Sequence, residues 1–210
     1  MSCRNRFRLC LILIVTVASV SFVHGQSTPA PTRESVIKDL DEVARIATVM
    51  VDGDVCQRIM TKRSLEKMFV VDPRDRWAAS DNFEVNYDPY IQTKKTLIRL
   101  SRLLPYACDV NLWMPFREKP GKIQILIRNV NEWSQFWTWG VLSQDTPPEM
   151  SRVLETGQRE KVMRVPGMIS ILAPVHDSLG DIVALVEVVA YVPGSEVPQV
   201  HARVSTPKLP

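Results

Sequence analysis

An α+β fold is what this sequence predicts: a five-stranded antiparallel sheet with a long N-terminal helix and connecting helices. Two changes of pattern carry that prediction. Apolar residues recur at three- and four-residue steps through the first half, whereas the second half breaks into short apolar runs separated by turn-formers. Strands joined by hairpins pair antiparallel, and their apolar faces then require helices to cover them. The almost unbroken apolar run at 181 to 192 predicts that both faces are covered. No internal repeat is visible.

The N-terminus reads separately from this domain. Arg4, Arg6 and Arg8 precede an apolar run over residues 9 to 23, with Val23 and Gly25 as the small residues before a cleavage after Gly25. That layout predicts a secretory signal peptide over residues 1 to 25. An uncleaved N-terminal membrane anchor is the alternative, although the run is short for a span. The expected location is therefore the periplasm or the external medium. Residues 26 to 32 form a flexible, proline-bearing spacer. Residues 33 to 192 are expected to be one domain, and residues 193 to 210 an irregular proline-rich tail.

The three leader arginines account for the whole excess of 26 basic over 23 acidic residues. A mature chain without net charge gives no reason to expect nucleic acid or an anionic membrane as partner. No second apolar stretch is long enough to span a bilayer. Of four cysteines, Cys3 and Cys10 fall in the leader. Cys56 and Cys108 remain, as either a disulfide or two buried free thiols.

Within the domain, Val36, Leu40, Val43, Ala47 and Met50 define a long helix with Thr32 as its N-cap, and Gly53 is expected to end it. Residues 54 to 69 read as a less regular helical stretch or two short helices. Residues 70 to 86 read as loop. Asp88 and Pro89 predict a helix start, with the helix running through Leu97, Leu100 and Leu104 to Pro105. Strands are predicted at 109 to 116 and 122 to 130, joined by REKPG as a hairpin. A helix follows over PPEMSRVLETG, opened by proline and closed by Gly157. Three further strands are predicted at 159 to 165, 168 to 175 and 181 to 192, the last two linked by a tight turn at Gly180.

Chemistry is sparse. His176, Asp177 and Ser178 are adjacent, but consecutive residues on a turn diverge and do not make a triad. No nucleophile elbow, zinc-protease helix, Walker loop or dinucleotide fingerprint occurs, and no cofactor or metal is expected. An enzyme is accordingly disfavoured. Glu187 interrupts the apolar run of the last strand. It faces a ligand cavity, or it meets solvent or pairs with an arginine such as Arg128.

The stretch 153 to 189 resembles an extracytoplasmic PAS-like sensor domain of the Cache kind. The likeness rests on a helix ending in Thr156-Gly157, a strand, a second strand ending in Ala173-Pro174-Val175, a turn with Gly180, and an apolar closing strand from Ile182 to Val189. The resemblance implies a small-molecule-binding module with its ligand held between the sheet and the connecting helix. Such domains usually belong to receptors with a second membrane helix and a signalling module. None is read before Pro210, so a membrane receptor or other protein partner is expected to report any binding.

That resemblance gives a place to NEWSQFWTWG, which holds three of the chain's five tryptophans. It lies in the region that closes over the sheet. Trp133 and Trp137 share a face in a helix, Trp137 and Trp139 in an extended chain, so the three cannot all face one way. The candidate ligand contacts are Trp137, Trp139 and Trp133 with Arg128, Asn129, Gln135 and Glu187. Apolar walls with a few directional polar groups are what small-ligand sites are made of. The competing expectation is a structural or interaction protein, an accessory subunit with the same fold and no pocket.

Overall fold

The computed structural model describes residues 31–75, 83–137 and 141–195. The predicted signal peptide, most of the spacer, Trp139 and the tail from residue 196 lie outside the described residues. Among those described, no helix is long and apolar enough to cross a membrane.

Helix α1 (Arg33–Met50) begins as its sequence predicts, with the Thr32 hydroxyl accepting from the Ser35 amide. Val36, Leu40, Val43, Ala44 and Ala47 form its buried stripe, the spacing that puts side chains on one helical face. Gly53 opens a second helix rather than closing the first. The Asp52 carboxylate accepts from the Val55 amide at 3.0 Å and caps α2 (Gly53–Gln57). Glycine is needed here for space. A Cβ at this position would lie 2.3 Å from the His176 carbonyl oxygen and 2.7 Å from Val183 Cγ2. Gly53→Ala is therefore expected to cost about 2 kcal/mol, the penalty of forcing apart well-packed elements. An unchanged thermal midpoint would show that α2 slides freely on the sheet.

The irregular stretch that follows resolves into α2 and α3 (Lys62–Lys67). Helix α4 (Tyr87–Ser101) starts one residue before Asp88, so that carboxylate sits in the first turn and not at the cap. The N-cap residue, Asn86, donates its amide to the Arg58 carbonyl instead. The helix also stops at Ser101, short of Leu104.

The sheet has six antiparallel strands in the order β3-β2-β1-β6-β5-β4. They are β1 (Asp109–Pro115), β2 (Lys122–Ile127), β3 (Gln144–Asp145), β4 (Glu160–Val162), β5 (Met168–His176) and β6 (Ile182–Tyr191). The strand beyond the expected five is β3, which pairs only with Lys122 and Ile123. Two residues carry no readable period, so pairing alone defines this strand. Helix α5 (Pro148–Thr156) ends at Gly157, whose φ of 69° is the left-handed stop expected of it.

Both sheet faces are covered, and β6 is buried over all but its first residue. On one face, Val110, Leu112, Ile171, Val186 and Val188 pack with Leu40 of α1 and Leu97 of α4. On the other, Trp113, Ile123, Leu172 and Leu185 pack with Phe136 and with Met150 and Val153 of α5. Cys56 and Cys108 are both buried free thiols, not a disulfide. Burial pushes each up to about 12. Each sulfur has a local partner instead, Thr93 for Cys56 and the Asp109 carbonyl for Cys108.

Candidate functional site

The chain leaves β2 at Ile127 and crosses the sheet face opposite α1 as the tryptophan segment. Glu132 turns it, with a φ of 58°, the one positive φ among the described non-glycine residues. A left-handed glutamate stores strain that its surroundings must over-determine. The determinants are polar side chains rising from the sheet. Asp109 accepts from the amides of Asn131 and Trp133 at 3.2 and 3.0 Å, and from the Asn131 side chain at 2.9 Å. Asn111 accepts from the Asn129 amide at 3.1 Å and donates to the Trp133 carbonyl at 2.7 Å.

Glu187 is the second anchor. Its Oε1 accepts from the Gln135 amide at 2.8 Å and the Ser170 hydroxyl at 2.9 Å. Its Oε2 accepts from the Ser134 hydroxyl at 2.6 Å and the Trp113 indole at 3.0 Å. The carboxyl is fully buried and pairs with no arginine among the described residues. Arg128 lies instead 3.3 Å from Glu132. Four neutral donors thus stand in for a cation, the means by which a buried carboxylate is accommodated without a salt bridge. Gln135 extends the lattice, donating to the Met168 carbonyl and accepting from the amides of Arg164 and Val165.

Burial pushes the Glu187 carboxyl above the ordinary range, opposed by its bonds from Ser134, Gln135, Trp113 and Ser170. Burial raises Asp109 too, against the bonds from Trp133 and Asn131. A carboxyl raised on folding binds its proton more tightly in the folded state. Its stabilising contribution is therefore complete below the unfolded value, about 4, and is lost as pH rises through the folded value. The paired variant Asp109→Asn/Glu187→Gln should accordingly lose less stability than the wild type as pH rises from about 4 toward neutrality. Parallel stability–pH curves in urea titrations would contradict this assignment.

The candidate residues divide into two groups. Trp133, Gln135 and Glu187 belong to the interior beneath the segment, with Trp133 edge-on to Tyr191 at 5.2 Å. Trp137, Arg128 and Asn129 line a half-open cleft of about 500 Å³ at the β2 edge. The Arg128 guanidinium stacks 4.0 Å above the Trp137 ring. Asn129 is partly committed, since its carboxamide accepts from the Val130 amide and donates to the Leu97 carbonyl.

Tyr90, Lys94, Gln124 and Glu132 complete the polar lining, and Phe83, Val85, Leu126 and Leu142 add apolar wall. None of these was legible as a site residue. Tyr90 and Lys94 lie one helical turn apart on α4, and only the docking of α4 against β1 brings them to the cleft. Gln124 left a faint signal, as the one amide within KIQILI.

The polar tip at His176 is used locally. Asp177 accepts from the amides of Leu179 and Asp181 and from the Gln57 side chain. Among the described residues no cluster of three His, Cys, Asp or Glu is placed to hold a metal. A scan against protein-family models finds no match, and a search of curated proteins finds none at a significant level.

Proposed function

We propose that this protein is an exported small-molecule-binding module of the PAS-like, Cache-type kind. The observation that carries the reading is the cleft at the β2 edge, where aromatic and apolar walls surround the side chains of Arg128, Lys94 and Gln124. Its volume lies within the range of small-ligand sites. Supporting the fold side of the reading, α5 ends at Thr156-Gly157, Ala173-Pro174-Val175 falls within β5, and the Gly180 turn leads into a buried closing strand. The site sits at the sheet edge beside α4, displaced from the space between sheet and connecting helix that the resemblance implies.

The test is native mass spectrometry of protein purified from its own host, followed by a thermal-shift screen of organic acids, amino acids and amines. A retained ligand, or a shift abolished by Trp137→Ala in a folded variant, supports the reading. A bare protein that no compound shifts would sink it.

A second reading has its own observation. The interior beneath the tryptophan segment is filled, because Asp109 and Glu187 spend their oxygens on the chain's own amides and hydroxyls. A closed interior suits an interaction protein that works through its surface. Crosslinking in the native host that traps one stoichiometric partner, with no ligand carried, would favour it.

A further inference from the structure

We infer that the β2-edge cleft recognises an aromatic carboxylate carrying a second polar group at the far end of its ring, an inference that rests on the binding-module reading above. Charge sets the first requirement. Among the described residues the lining holds two cations, Arg128 and Lys94, against one carboxylate, Glu132, which lies 3.3 Å from Arg128. One uncompensated positive charge matches a monoanion; a dianionic phosphate would exceed it.

Geometry sets the second. Arg128 is held flat over Trp137 at 4.0 Å and makes no side-chain hydrogen bond among the described residues. Its Nη1 is buried and lacks a hydrogen bond even with Glu132 at 3.3 Å. With Nη1 enclosed beside Glu132, the rest of the guanidinium, on a side chain 34% exposed, is what can meet a carboxylate from the cleft. Lys94 extends over Tyr90, 5.5 Å from the ring centre. Among the described residues it has no acidic partner. Most of the rest of the lining is apolar, with Phe83, Val85, Leu126 and Leu142 beside the Tyr90 and Trp137 rings, a wall that suits a flat apolar ring.

Gln124 supplies the third requirement. It is only 2% exposed, yet its carboxamide has no hydrogen-bond partner among the described residues, and it lines the cleft. Gln124 also borders a second hollow beside Met114 and Phe116; buried side-chain amides are ordinarily paired, so one left open between clefts marks a place for a ligand's polar atom. Gln124 and Arg128 stand four residues apart, about 13 Å along extended chain. A carboxylate on Arg128 and a hydroxyl on Gln124 therefore belong to opposite ends of one ring, with Leu126 between them on the same face.

Four probes of nearly one shape separate these requirements in calorimetric titration: 4-hydroxyphenylacetate, its primary amide, tyramine and phenylacetate. The hydroxy acid should bind at least about tenfold more tightly than the amide or tyramine, as expected where a charge-matched donor set is left unpaired. Arg128→Gln should erase that preference, and Lys94→Gln, at a more exposed group, should weaken the acid about threefold. Phenylacetate should bind more weakly than the hydroxy acid to the wild type and equally to Gln124→Leu. Circular dichroism establishes that each variant is folded, and Lys94→Gln keeps the test alive if Arg128→Gln is not. Equal or tighter binding of the amide or tyramine overturns the carboxylate while leaving a binding module. Loss of the hydroxyl preference without dependence on Gln124 overturns the two-ended site. If none of the four binds but another compound shifts the melting temperature, this inference fails and the module stands. If nothing shifts it, both fall.

Discussion

Glu187→Ala is expected to destabilise the fold by about 3 kcal/mol, among the largest effects of any single change in this protein. The reasoning runs through the donors left behind. The Ser134 and Ser170 hydroxyls can rotate to new acceptors, but the Gln135 amide and the Trp113 indole have fixed directions and stay buried. Each orphaned donor costs about 1–3 kcal/mol, and the vacated volume adds to it. Relief from burying an ionised carboxyl offsets part of the sum. Glu187→Gln is the informative control. Its amide nitrogen must face either the Gln135 amide or the indole, so one clash of donors remains, worth about 1–2 kcal/mol. Urea unfolding gives both numbers. Amide exchange should show faster opening across residues 131 to 137 in the alanine variant. A neutral or stabilised Glu187→Ala would mean that burial of the charge outweighs everything it organises.

Trp113→Ala should cost about 3–5 kcal/mol, because a side chain of that size in a packed core leaves a cavity that its neighbours fill only in part. Trp113 is 1% exposed and meets Phe136 edge-to-face at 6.2 Å. It also gives Glu187 one of its four hydrogen bonds. Trp113→Phe separates the two roles: most of the volume stays and the indole N–H is lost, for an expected cost of about 1.5 kcal/mol. Because Trp113 and Glu187 touch, their losses should not add. The double variant Trp113→Phe/Glu187→Gln should lose less than the summed singles by at least about 0.5 kcal/mol. Strict additivity would mean the indole–carboxylate contact carries no energy of its own.

These two residues also show where reading the sequence reached its limit. Glu187 was conspicuous as a carboxylate in an apolar strand. Its partners were not, since Ser134, Gln135 and Ser170 lie 53, 52 and 17 residues away and no local pattern joins them. A buried acid predicts an arginine partner, and Arg128 is close in sequence to the tryptophans. The structure gives that arginine to Glu132 and Trp137. Trp113 stands alone in sequence, apart from the dense cluster at 133 to 139, although it is the most buried tryptophan described. Density in sequence and depth in the fold are different things.

Local rules succeeded where the cause is local. The Thr32 cap, the 3.6-residue stripe of α1, the hairpin between β1 and β2 and the Gly157 stop are each decided within a few residues. They failed at Gly53, whose requirement comes from the backbone of His176, and at the two-residue β3.

The sequence by itself determined the α+β class, the antiparallel pairing of its main strands and the burial of the sheet on both faces. Periodicity and turn chemistry are properties of short windows, and they suffice for that. Tertiary structure alone decided that the tryptophan segment is pinned by Asp109 and Glu187, and that Trp137 turns with Arg128 toward a cleft shared with α4. Those outcomes depend on which distant donors meet a buried carboxylate and how α4 docks on β1, and packing sets both.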